Sequence, residues 1–85
     1  MAVGDLTPGK RRPDGTEPHE LEIGEYSKIE VGLWIRLPNG DIGHIGKGWN
    51  VTWNADGSAT VSPSIKTHGE NNWHGYLENG VWREV

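Results

Sequence analysis

The chain has 85 residues, no cysteine and a formal net charge of −4, which bounds it to one small domain without disulfides or thiolate metal sites. Twelve acidic against eight basic side chains exclude a simple phosphate-neutralising surface, so duplex nucleic acid is not an expected partner. Thirteen Gly and five Pro leave no clean helical window, which excludes a helical protein and predicts an all-β fold with a core built on five Trp and two Tyr.

Residues 1–18 hold three Pro and three Gly and almost nothing apolar, so they read as an extended, flexible N-terminal arm, with residues 19–85 as a single β-domain. The only basic cluster, Lys10, Arg11 and Arg12, lies in that arm. Residues 19–26 alternate weakly and predict a short edge strand whose glutamates discourage edge-to-edge pairing. Residues 28–37 alternate strictly, with Ile29, Val31, Leu33, Ile35 and Leu37 on one face and Trp34 on the other, which predicts one long strand. A two-residue Asn39-Gly40 turn then pairs Leu37 with Ile42 and Ile35 with His44, and so turns His44 toward the apolar face.

Trp49, Val51 and Trp53 share a face of the next strand, after a glycine-rich link in which Lys47 and successive Gly amides could form a small anion nest. A three-residue turn with Gly57 in the left-handed conformation sets Trp53 opposite Ala59 and Val51 opposite Val61, keeping one face apolar. Pro63 is expected to end that strand, and residues 64–72 to form a polar loop. The last hairpin turns on Asn79-Gly80, pairing Glu78 with Val81, Leu77 with Trp82 and Tyr76 with Arg83. Six strands, or seven with the edge strand, thus form three hairpins of a small antiparallel barrel or a two-layer sandwich. The Trp73, Leu77 and Trp82 face belongs with the Trp49, Val51 and Trp53 face in the core, which leaves His74, Tyr76 and Arg83 on the opposite side.

No serine elbow, cysteine or paired carboxylate marks a nucleophile or an acid–base pair, so no enzyme and no cofactor is expected. His68, His74 and Glu70 could be gathered into a small metal-dependent hydrolase only if the polar loop folds back, and their spacing matches no zinc signature, so no metal is expected. The excess of Trp points to binding instead, because indoles supply hot spots and stacking platforms. The candidate binding residues are His74, Tyr76, Arg83, Trp34 and Lys47. No run approaches the roughly 18 apolar residues of a membrane span, so no membrane partner is expected.

The run Ser62-Pro63-Ser64-Ile65, followed by Trp73-His74-Gly75-Tyr76-Leu77-Glu78-Asn79-Gly80, resembles the C-terminal half of small uncharacterised phage and prophage proteins. That resemblance covers residues 49–83 and carries no transferable activity. Upstream cysteines that look like a zinc site in such proteins are absent from this chain. The resemblance implies a phage accessory protein acting in the host cytoplasm. The expected function is therefore a counter-defence binding module, expected as a homo-oligomer, that blocks a host protein or sequesters a small anionic, nucleotide-like ligand. The rival expectation is a virion component, a capsid decoration or tail protein, whose arm laces onto neighbours.

Overall fold

The computed structural model describes residues 6–67 and 72–85, which form nine short strands and one 3-10 turn, Pro18–Glu20. The strands are β1 (Leu6–Pro8), β2 (Lys10–Arg12), β3 (Glu25–Lys28), β4 (Leu33–Arg36), β5 (Ile42–Ile45), β6 (Asn50–Trp53), β7 (Ala59–Lys66), β8 (His74–Glu78) and β9 (Val81–Glu84). They make two sheets, a five-stranded one in the order β1-β9-β8-β7-β6 and a four-stranded one in the order β2-β3-β4-β5. Every pairing is antiparallel except β2 with β3. The result is a two-layer β-sandwich, one of the two architectures the sequence predicts. Among the described residues no helix is long and apolar enough to cross a membrane.

The segment expected as a flexible arm contains two of these strands. β1 pairs with β9, and β2 pairs with β3. Gly9 carries the chain from one sheet to the other, where its backbone lies against the carbonyl of Gly80 and leaves no room for a Cβ. Composition hides these strands because they are short edge pieces whose ladders are closed by partners far away in sequence. Residues 1–5 lie outside the described part of the chain.

The two layers enclose Tyr26, Leu33, Ile35, Leu37, Ile45, Val61, Ile65, Trp73, Leu77 and Trp82, with Ala59 between them. Trp73 and Trp82 meet edge to face, ring centroids 5.6 Å apart. Trp82 also ties the sheets together, since its indole Nε1 donates to the Gly24 carbonyl at 2.9 Å in the buried interior. Trp49, Val51 and Trp53 pack against this core while staying half-buried.

Two hairpins have the predicted register. Asn79 (φ 50°) and Gly80 (φ 76°) make the final two-residue turn, with Leu77 opposite Trp82 and Tyr76 opposite Arg83. Gly57 (φ 88°) closes the three-residue turn that sets Val51 opposite Val61. The third differs by one residue. Leu37 and Asp41 flank a loop of Pro38, Asn39 and Gly40, so Trp34 faces His44 and Ile35 faces Gly43. Asp41 stabilises the longer loop by taking the Leu37 amide on its backbone carbonyl, while its own amide donates to the Asn39 side chain. His44 therefore leaves the apolar face, and Ile45 takes its place in the core.

The long strand predicted over residues 28–37 is broken. Residues 29–32 form the turn between β3 and β4, closed by the Ile29 amide donating to the Gly32 carbonyl. Gly32 has φ 88° and lies against the Ile45 carbonyl, a position closed to any larger residue. The short strand predicted over 19–26 is instead the end of the 3-10 turn, a connection that turns at residues 23–24, and the start of β3. Nor does Pro63 end its strand. β7 runs through it to Lys66 with a register shift between Val61 and Ile65, and the Ser62–Pro63 peptide bond is cis.

Candidate functional site

The residues singled out as binding candidates lie in three places. His74, Tyr76 and Arg83 do share the outer face of the five-stranded sheet. Arg83 lies 4.7 Å from the centre of the Tyr76 ring, and its Nε donates to Glu78 Oε1 at 2.9 Å. Each partner stabilises the charge of the other, so Arg83 is held above, and Glu78 below, the usual range of its group. His74 Nε2 shares a hydrogen bond of 2.9 Å with Ser64 Oγ. This face is thus satisfied within the chain.

Trp34 lies on the outer face of the other sheet. Its ring is 5.1 Å from that of His44, whose Nε2 donates to the Val31 carbonyl at 2.9 Å. His68 and Glu70, the remaining metal candidates, lie outside the described residues. Among the described residues no cluster of three or more His, Asp or Glu side chains is placed to hold a metal ion.

Lys47 is the candidate that lines a concave site. A cleft of about 420 Å³ runs along β6, walled by Trp49, Val51 and Trp53 on one side and by the β3–β4 turn on the other. Alternation along β6 puts these three side chains on one face, and the four-stranded sheet stops short of them, so they are only partly covered. Lys28 and Lys47 contribute the cations of the cleft, with Glu30 as its acid. A second hollow of about 450 Å³ continues round the turn past Lys28 and Glu30 to Asp14.

The aromatic wall is held in place from behind. Trp49 Nε1 donates to the Ser64 carbonyl on β7 at 3.4 Å. The Arg11 guanidinium lies 4.3 Å from the centre of the Trp53 ring, while its Nη1 donates to the Gly57 carbonyl and its Nη2 pairs with Asp14. Arg11 thus clamps Trp53 to β2 and is itself engaged. Lys28 approaches the same ring at 5.6 Å. Among the described residues neither Lys28 nor Lys47 is in an ion pair, and both are exposed.

Apolar rings fixed by the scaffold, with two unpaired ammonium groups beside them, suit a partner that has a flat or apolar body and negative charge. Sequence reasoning placed Trp49, Val51 and Trp53 wholly in the core and did not single out Lys28. Two signals did point here, namely the excess of Trp and the glycine-rich link that carries Lys47. The link is a turn, in which the Trp49 amide donates to the Gly46 carbonyl, so that amide is unavailable to an anion nest. Comparison of the chain with protein-family models, with curated proteins and with solved structures gives no match.

Proposed function

We propose that the protein is a non-enzymatic binding module, a phage accessory protein of the counter-defence kind, that captures an anionic partner in the β6 cleft. The observation that carries this reading is the pairing of a preformed indole wall with two cations that are in no ion pair among the described residues. A preformed wall lowers the ordering cost of binding, and neither ammonium group has an ion pair among the described residues to give up when a ligand arrives. The phage assignment is supported by the Ser-Pro-Ser-Ile and Trp-His-Gly-Tyr-Leu runs.

The test is a calorimetric screen of anionic nucleotides and acidic peptides against the wild-type chain and a Lys28→Glu/Lys47→Glu variant. Binding at micromolar concentration that falls by at least about tenfold in the variant is expected, since about 1.4 kcal/mol corresponds to a factor of ten. Absence of binding by every anion tested would sink the reading.

A further inference from the structure

We infer that the partner is an extended acidic polypeptide segment, which adds to the five-stranded sheet as a strand beside β6. This rests on the cleft being the binding site and names what fills it. Among the described residues β6 is an edge strand, paired only with β7. The Asn54 amide donates to the Ser58 carbonyl and Asn54 in turn accepts from Gly57, which fixes the phase of the ladder. Thr52 and Asn50 consequently direct their backbone groups into the β7 ladder, and Val51 and Trp53 direct theirs to the open edge. The opposite residue has the same phase: Ala59, facing Trp53, turns its amide to the Tyr26 hydroxyl and its carbonyl to the Gly80 amide, both away from β6.

This edge lacks the charge, proline and bulge that protect other edge strands. Asn50-Val51-Thr52-Trp53 has no charge, no proline and no register shift, whereas β2 at the edge of the other sheet is Lys10-Arg11-Arg12 and β1 ends on Pro8. Strand addition to such an edge uses main-chain hydrogen bonds for affinity and alternate side chains for specificity.

Charge sets the kind of segment. Lys47 precedes Trp49 at one end of the cleft, and Lys28 lies over Trp53 at the other. Trp49 and Trp53 are four strand residues apart, about 14 Å at the strand rise, so an extended segment meets both ammonium groups with acidic side chains four residues apart. The residue midway between them points to Val51 and is apolar. Glu30 on the facing wall disfavours a basic segment. A free small anion would use the lysines and leave the edge unpaired.

The test uses the full chain, a capped peptide reading glutamate-threonine-valine-threonine-glutamate, its counterpart with lysine in place of glutamate, and ATP. Amide hydrogen exchange and affinity are both read. The acidic peptide is expected to bind and to slow exchange at the Val51 and Trp53 amides, and the lysine peptide not to bind. Lys28→Glu and Lys47→Glu should each weaken the acidic peptide by about tenfold. Val51→Pro removes an outward amide without removing a ladder bond and should do the same; if that variant does not fold, the exchange data and the lysine variants decide. Acidic-peptide binding without slowed exchange, or binding of ATP alone, overturns strand addition and leaves the cleft standing. Failure of every anion to bind overturns both.

Discussion

Glu25 is the one buried charged side chain among the described residues, and a single oxygen anchors it. Its Oε1 accepts from the Glu22 amide at 2.8 Å and from Arg12 Nη1 at 2.9 Å. The Glu22 amide is the larger cause, with Arg12 adding to it, and together they outweigh burial and hold the carboxyl below the usual glutamate range. A lowered folded-state pKa gives stability that is complete above the unfolded value, about 4.3, and is lost as pH falls through the folded value. Thermal unfolding of the wild type and of Glu25→Gln, whose side-chain oxygen keeps both donors but carries no charge, should therefore differ most near neutral pH, by about 1 kcal/mol, and converge on acidification below about pH 4. A gap that stays constant down to pH 3 would show that ionised Glu25 contributes nothing to the fold. Tyr26, next along β3, shows the opposite balance. Burial raises its hydroxyl above the usual tyrosine value, against the Ala59 amide that donates to it at 3.3 Å. None of this was legible in the sequence, where Glu25 is one of several glutamates in a polar stretch.

At the scale of elements, turn chemistry decided how far the sequence could be read. Asn79-Gly80 and Ala55-Asp56-Gly57 each accept one favourable geometry that also keeps an apolar face together, and both registers follow from that agreement. Pro38-Asn39-Gly40 accepts two. Hydrophobic alternation favoured the shorter loop, whereas the hydrogen bonds around Asp41 select the longer, and His44 changed faces as a result. Alternation also misread residues 28–37, because Gly32 permits a turn that period-two counting does not see.

The β8–β9 hairpin depends on a contact with no local signature, the Trp82 indole donating to Gly24 on the other sheet. Trp82→Phe keeps a ring in the core but removes that bond, leaving the Gly24 carbonyl with the Lys10 amide alone, and a loss of about 1 kcal/mol is expected in urea unfolding. A change within about 0.5 kcal/mol would mean that the ring alone matters and the bond does not.

Over the whole molecule, β1 and β2 give one edge strand to each sheet and are joined only by Gly9. They make residues 6–12 part of the fold rather than an appendage. A chain beginning at Pro13 should lose cooperative unfolding or melt well below the full chain; a truncated chain that melts unchanged would restore the picture of a dispensable arm. Gly9→Ala places a Cβ against the Gly80 carbonyl and should destabilise by about 1–3 kcal/mol, measured by the same denaturation.

The cleft is a product of this same scale. Which side of β6 stays open depends on where the smaller sheet stops, and no local pattern encodes that. The excess of Trp and the candidate Lys47 were visible in the sequence, but Trp49 and Trp53 were placed in the core, and their assembly with Lys47 and Lys28 waits on the packing of the two layers.

The most direct measurement is a two-dimensional nitrogen–proton spectrum that follows the five Trp indole signals while an acidic ligand is titrated in. If the cleft is the binding site, the Trp49 and Trp53 indoles shift in a saturable way, and Trp34 on the far face and Trp82 in the core stay in place. Saturable shifts confined to Trp34, or to the outer face that carries Tyr76 and Arg83, would contradict it.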